Sequence, residues 1–248
     1  MFNTEENWLL NEKYQGNQTN DFKNDCLELS AGVPLAYLIG YIPFLNCKIW
    51  LDSKPLIPRP ETEYWVEKVS SEINTCHKHR NETIEILDLC AGSGCIGIAI
   101  AKNSPYTTVD FIELDNHQKT IKKNCLENNI PVERFRLFQG DLFSPLSDEK
   151  YDYILTNPPY IDKNLNRVDN SVKENEPALA LYGGNEGIEI IAKIINESPK
   201  HLKQGGQLWI EHEPEQIEAI NNLAKNKFHV TNHFDQYHIH RFSQLMLQ

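Results

Sequence analysis

The run from Ile84 to Cys90 (IEILDLC) is almost uninterruptedly apolar, and it leads straight into Ala91-Gly92-Ser93-Gly94. An apolar run without alternation is what a strand buried on both faces of a parallel sheet requires. Parallel neighbours need crossover connections, and the sequence supplies them. A helical stretch (IGIAIAKN) follows the glycine loop, then a strand (TTVDFIEL) and a helix over about 116–129. Strands in RFRLFQG and YDYILTN come next, then a long helix around GIEIIAKIINESPKHL, the strand GGQLWIEHE, and a closing hairpin from KFHVTNHF and HRFSQLML. This alternation predicts an α/β fold with a doubly wound sheet and right-handed crossovers. Ligands of such sheets bind beyond the carboxyl ends of the strands, near the switch point.

The chain ahead of this pattern reads differently. Residues 1–33 are polar with scattered anchors (Trp8, Leu9, Leu10, Phe22, Leu27, Leu29), as in one or two short helices. Five prolines and Gly40 in residues 34–60 predict extended pieces and turns. Helical spacing in ETEYWVEKVSSEI puts Trp65, Val66, Val69 and Ile73 on one face, with Glu61 or Thr62 as the cap region, and HKHRNE (77–82) reads as a polar linker. The chain thus divides into a short N-terminal helical segment (1–33), a small β-rich connector with a helix (34–82) and a large domain (83–248).

Composition removes several function classes. Forty per cent hydrophobic residues suffice for a core, and no apolar run is long enough for a membrane-spanning helix. Twenty-four Lys and Arg against 35 Asp and Glu leave a net charge of −11, a poor basis for binding a polyanion. The six cysteines form no CxxC pair and read as buried thiols. The pairs His77/His79 and His238/His240 lack a third ligand at a standard spacing, so no metal site is expected. The first 20 residues read as neither a signal nor a transit peptide.

Four positions carry chemistry. Asp88, Cys90, Ala91, Gly92, Ser93 and Gly94 end a strand and open a helix. The spacing is not G-x-G-x-x-G and no Lys-Ser/Thr follows, so a pyrophosphate or nucleoside triphosphate is disfavoured. An acidic residue there suits a cationic ligand such as S-adenosylmethionine; a tight turn without ligand is the plainer reading. Glu113 ends the next strand, where a carboxylate can accept both ribose hydroxyls or simply cap a helix, although Asp115 is better placed as the N-cap. Gly140-Asp141-Leu142-Phe143 lies at another strand end, where Asp141 can accept from an adenine amino group while Leu142 and Phe143 pack the ring. Asn157-Pro158-Pro159-Tyr160 follows YDYILT. Its prolines remove two backbone donors, Asn157 adds an acceptor, and Tyr160 offers a flat face, so the loop suits a planar –NH2 group.

The motifs DLCAGSG, FIELD and NPPY, in this order, resemble class I S-adenosylmethionine-dependent methyltransferases that modify exocyclic or amide nitrogens. PLAYLIG (34–40), Phe44 and LIPRPETE (56–63) narrow the resemblance to the HemK-type protein-(glutamine-N5) methyltransferases, and EPALALYGGNEG (176–187) and GGQLWIEHE (205–213) extend it. The resemblance implies a seven-stranded class I sheet. It also implies S-adenosylmethionine as cofactor, leaving as S-adenosylhomocysteine, and no metal. The partner would be a peptide chain release factor bearing a Gly-Gly-Gln loop, with no direct nucleic acid and no membrane. Cys90 to Gly94 would take the methionine end, Glu113 the ribose, Leu142 and Phe143 the adenine, and Asn157 to Tyr160 the glutamine amide. Relatives often carry Gly-Thr where Cys90-Ala91 stands, Asp for Glu113, an aromatic for Leu142, and a longer helical region before PLAYLIG.

The alternatives are a nucleic-acid adenine-N6 methyltransferase using the same NPPY loop on a flipped base and a non-catalytic partner of another methyltransferase. The net charge, the lack of a target-recognition domain and LIPRPETE weigh against the first. The intact NPPY weighs against the second. Resemblance to fungal members suggests a mitochondrial location, with a cytoplasmic one as the alternative.

Overall fold

The computed structural model describes residues 2–80 and 82–248, the side chains of residues 77–80 excepted. Helices α1 (Thr4–Glu12) and α2 (Asn20–Ser30) open the chain, the first closed by a reciprocal capping box between Asn3 and Glu6 and the second by Thr19. They meet α3 (Leu35–Ile39) around a small core of Leu9, Leu10, Phe22 and Leu38. The expectation of extended chain throughout 34–60 is therefore corrected. Pro34 starts the five-residue α3 and Gly40, at φ 93°, ends it, so the breakers bound a helix instead of forbidding one.

The hairpin β1 (Tyr41–Phe44) and β2 (Cys47–Trp50) follows, and its Phe44, Cys47 and Ile49 join the main core. Helix α4 (Pro60–Arg80) is longer than the sequence pattern indicated. Trp65, Val66, Val69 and Ile73 are fully buried as expected. The helix continues through 77–80, read above as linker, because no breaker interrupts it; Asn81 and the side chains of His77 and His79 lie outside the described residues. Thr62 lies inside the first turn with its hydroxyl pointed at another strand, and is not a cap.

Next come β3 (Ile84–Leu89), α5 (Cys95–Asn103), β4 (Thr107–Glu113), α6 (Gln118–Glu127), β5 (Phe135–Gln139), β6 (Tyr151–Thr156), α7 (Asn170–Asn175), α8 (Glu189–Glu197), β7 (Leu202–Glu211), α9 (Ile217–Ala224), β8 (Phe228–Phe234) and β9 (His240–Leu247). The long helix expected near 187–202 is a nine-residue helix between two 3₁₀ turns, the second holding Pro199. Helices α7 and α9, six and eight residues long, add to the elements expected from the sequence. The strands form one seven-stranded sheet, β5-β4-β3-β6-β7-β9-β8, parallel from β5 to β7 and antiparallel at the β9 hairpin. Alternate side chains feed two cores: Ile86, Phe111 and Leu155 on the α4–α5 side, Leu87, Ile112 and Ile154 on the α8–α9 side.

Two devices join helices to sheet and hairpin. Asn124 of α6 and its C-cap Asn128 pair reciprocally with the backbone of Trp50 and Lys48 at 2.7–3.1 Å, standing in for a third strand along an otherwise open edge. Gly97 lets α5 settle on β4: a Cβ there would lie 2.6 Å from Phe111 and 2.7 Å from Val109. Gly97→Ala is expected to cost about 1–3 kcal/mol through overpacking, measured by urea unfolding. An unchanged midpoint would show that α5 can slide.

Candidate active site

Strand β3 lies between β4 and β6, so the chain reverses winding direction there and the loops leaving β3 and β6 open side by side. Together with residues after β4 and β5 and the segment 177–190 they enclose a cavity of about 190 Å³. Glu113, Asp115 and Asp141 line it, and among the described residues no lysine or arginine does. Such a wall repels phosphate and favours a cationic ligand.

The β3 loop presents backbone to this space. Cys90 (φ 59°) and Gly92 (φ 53°) are left-handed, and a Cβ on Gly92 would meet nothing within 4 Å. Gly94 instead serves packing, since its Cβ would press on Ile121 and Ile98 at 3.0 Å. The Glu113 carboxylate accepts the Gly92 N–H at 2.7 Å and the Asp115 N–H at 2.9 Å. It ties two loops together while lining the cavity, and each oxygen retains accepting capacity. Asp115 does not cap α6, which starts at Gln118 after His117.

Three expected ligand residues do not line the cavity: Gly94, packed as just described, Asp88 and Phe143. Asp88 is fully buried beneath the loop, where one oxygen accepts the Gly97 N–H at 2.8 Å and burial pushes the carboxyl well above the usual range. Its strand alternation aims it under α5. Phe143 packs in the core with its ring stacked on His201 at 5.0 Å, leaving Leu142 (φ 47°) to line the cavity alone.

The Asn157–Tyr160 turn is held from three sides. Asn157 Nδ2 donates to Thr62 Oγ1 at 3.1 Å, which leaves Oδ1 as its free acceptor. Thr62 donates to Glu211 at 2.7 Å, and Trp65 Nε1 and the Tyr160 hydroxyl donate to the same carboxylate at 2.8 and 3.0 Å. Burial pushes the Glu211 carboxyl up, opposed by these three donors, and pushes the Tyr160 phenol well above its usual value. The Tyr160 hydroxyl thus anchors the turn, and Tyr160 also borders a second cleft. From the other side, Gln216 Nε2 donates to the Tyr160 carbonyl at 2.8 Å, and Ile161 pairs with Leu181 and Gly183.

A second cleft, lined by Leu56, Arg59, Asn157, Pro158, Tyr160 and Val168 among others, lies across this turn, and Leu56, Asn157 and Ala180 border both spaces. Asn157 therefore stands where they meet. Arg59 is fixed by the buried Glu176 at 2.7 Å, whose second oxygen takes the Ile57 N–H at 3.0 Å, joining LIPRP to EPALAL. Thr62, Glu211, Gln216 and Glu176, which hold this turn and the LIPRP segment in place, are not among the site residues expected from the sequence. The one signal for Glu211 was a charge inside the apolar run LWIE. Among the described residues no cluster of three or more His, Cys, Asp or Glu could hold a metal, and no helix is long and apolar enough to cross a membrane.

Gly183 has no room for a side chain: a Cβ would lie 2.5 Å from the Pro159 carbonyl oxygen. Gly183→Ala should loosen the turn, costing about 1–3 kcal/mol in unfolding free energy, with faster hydrogen exchange confined to 157–161 and 181–187. Exchange spread evenly over the sheet would contradict a local clamp.

Residues 71–179 match the methyltransferase small domain family. The release factor glutamine methyltransferase of Rhodopirellula baltica is 40% identical over 196 residues, covering 78% of this chain and 66% of that protein. That of Francisella tularensis is 36% identical over 215 residues, 86% of this chain and 74% of its own length. The ribosomal protein uL3 glutamine methyltransferase of Bradyrhizobium diazoefficiens is 34% identical over 184 residues, 72% of this chain and 57% of that protein. Among solved structures, the N-terminal domain of human METTL16 in complex with SAH shares the fold, with a TM-score of 0.56 at 18% identity over 82% of this chain and 76% of that one. The seven-stranded methyltransferase sheet that the resemblance implies is the one observed, and the chain belongs to the release factor glutamine methyltransferase family.

Proposed function

We propose that this chain transfers methyl from S-adenosylmethionine to the side-chain amide nitrogen (N5) of the glutamine in the Gly-Gly-Gln loop of a peptide chain release factor. The observation that carries this reading is Asn157, whose free Oδ1 stands at the junction of a carboxylate-lined cavity and a second cleft. The cavity fits the cofactor: Gly92 offers backbone facing open space, Glu113 offers spare acceptors to ribose hydroxyls, and the lining carboxylates suit a cation. Residues 90–93, Glu113, Asp141 and Leu142 would hold it. When bound, it supplies an electrophilic methyl group on a sulfonium.

The chain's own residues supply geometry. An amide nitrogen is a poor nucleophile because its lone pair is delocalised into the carbonyl. Asn157 Oδ1 and the Pro158 carbonyl accept its two N–H groups and aim the nitrogen across the junction. Positioning of this kind can lower a barrier by roughly 7–11 kcal/mol. As the nitrogen gains positive charge, the same acceptors hold its hydrogens more tightly, which favours the transition state over the ground state. Glu211 already takes three hydrogen bonds and is not needed as a base, since a proton leaves the charged nitrogen readily after transfer.

No specific observation favours the adenine-N6 or the non-catalytic reading. We place the protein in mitochondria on the resemblance stated above, to be checked by microscopy of the tagged chain. The deciding experiment incubates the chain with labelled S-adenosylmethionine and either release factors or ribosomal protein uL3, then maps the label. Label on any group other than a glutamine side chain sinks the proposal, and label on uL3 alone moves the substrate.

Two substitutions separate the roles. Asn157→Ala should lower kcat by a factor of about 10² or more while the Kd for S-adenosylhomocysteine stays near the wild-type value. Retention of more than about a tenth of kcat would refute the acceptor role. Glu113→Gln replaces charge-assisted hydrogen bonds of about 1.5–3 kcal/mol by neutral ones of about 1, so cofactor affinity should fall about tenfold by calorimetry. If only Tm falls, Glu113 is a loop tie and no more.

A further inference from the structure

The amide of asparagine has nearly the same shape in both flipped orientations, so something must decide which end meets the substrate. We propose that Thr62 and Glu211 are positioning residues that set this orientation, holding Asn157 with Nδ2 turned inward and Oδ1 turned to the substrate. The inference rests on the function proposed above but follows from donor and acceptor counting within the chain.

An ionised carboxylate can only accept. Glu211, 1% exposed at the end of β7, therefore requires its neighbours to donate, and Thr62, Trp65 and Tyr160 all do. Thr62 is itself 2% exposed and has one hydroxyl hydrogen, which goes to Glu211 at 2.7 Å. What its oxygen has left is a lone pair, and Asn157 faces it at 3.1 Å. Only the NH2 end of the amide can satisfy that lone pair. The flipped amide would set oxygen against oxygen inside and an NH2 group against the substrate NH2 outside. Polarity thus passes in two hydrogen bonds from a buried charge to the reacting group's acceptor, with no proton transferred. Trp65 and Tyr160 keep the carboxylate supplied on its remaining faces. The Tyr160 bond also fixes the far end of the same turn.

Two readouts test this, one of them independent of any substrate. In ¹⁵N-labelled protein, the side-chain amide of Asn157 is identified by its loss in Asn157→Ala, and its hydrogen exchange is followed. Thr62→Val, which keeps the shape and deletes the hydroxyl, should speed that exchange about tenfold, the loss of one hydrogen bond, whereas Thr62→Ser should leave it unchanged. Folded Glu211→Leu, verified by thermal unfolding, should act like Thr62→Val; if it does not fold, the Thr62 variants decide. In methyl-transfer assays Thr62→Val should lower kcat about tenfold or more without a matching rise in the Kd of S-adenosylhomocysteine, and Thr62→Ser should restore it. In an Asn157→Ala background Thr62→Val should cost nothing further, because the two act through one group. Unchanged Asn157 exchange in Thr62→Val, or equal losses of kcat in both backgrounds, overturns the proposal. Accelerated exchange in a protein that labels no glutamine upholds the positioning and overturns the function instead.

Discussion

A carboxylate placed in an apolar interior must be surrounded by donors or protonated, and Glu211 has been given three. Those donors come from α4 and from the turn after β6, so one charge at the end of β7 ties together pieces of chain that are far apart in sequence. Removing the charge from this position would leave a hydroxyl, an indole and a phenol each without its acceptor. The rigidity of the Asn157–Tyr160 turn follows from that demand as much as from its two prolines. The prolines restrict the backbone, and the carboxylate restrains the side chains on either side of them.

The glycines around the turn answer a different constraint. Gly183 sits close against the carbonyls of Pro159 and Gly187, and a Cβ on Gly187 would collide with the Tyr160 carbonyl. Backbone packs on backbone there. Gln216 closes the arrangement by donating to both Tyr160 and Glu186 carbonyls. A turn enclosed in this way can present fixed acceptors without help from a bound partner, which is what positioning a weak nucleophile requires. The opposing wall is electrostatic in character: Glu113, Asp115 and Asp141 line a cavity with no lysine or arginine on it among the described residues.

Much of this was legible along the chain, because strand burial and turn chemistry are local properties. IEILDLC, TTVDFIEL and YDYILT could hardly be anything but central strands, and a loop such as AGSG or NPPY after each strand must lie at the sheet's carboxyl edge. The breakers in 34–60 are less decisive, since Pro34 and Gly40 can bound a helix as well as prevent one. Helix α9 is only eight residues long and carries its spacing in just Ile217, Ile220 and Ala224, a short signal along the chain.

What the sequence by itself determined was the succession of strands along the chain, the two loops and the kind of groups they carry, since each depends on residues within a few positions of one another. Which way those groups point was decided only in three dimensions. Asp88 and Phe143 sit in the right motifs yet face the core, because strand pleat and the packing of α5 and His201 claim them. The Tyr160 hydroxyl is tied to Glu211, 51 positions away, an anchor that the NPPY motif alone does not disclose. Thr62 looked like a cap, and it instead bonds Asn157 across 95 residues. Hydrogen-bond partners of that separation leave no periodicity or spacing in the chain, so only the folded arrangement reveals them.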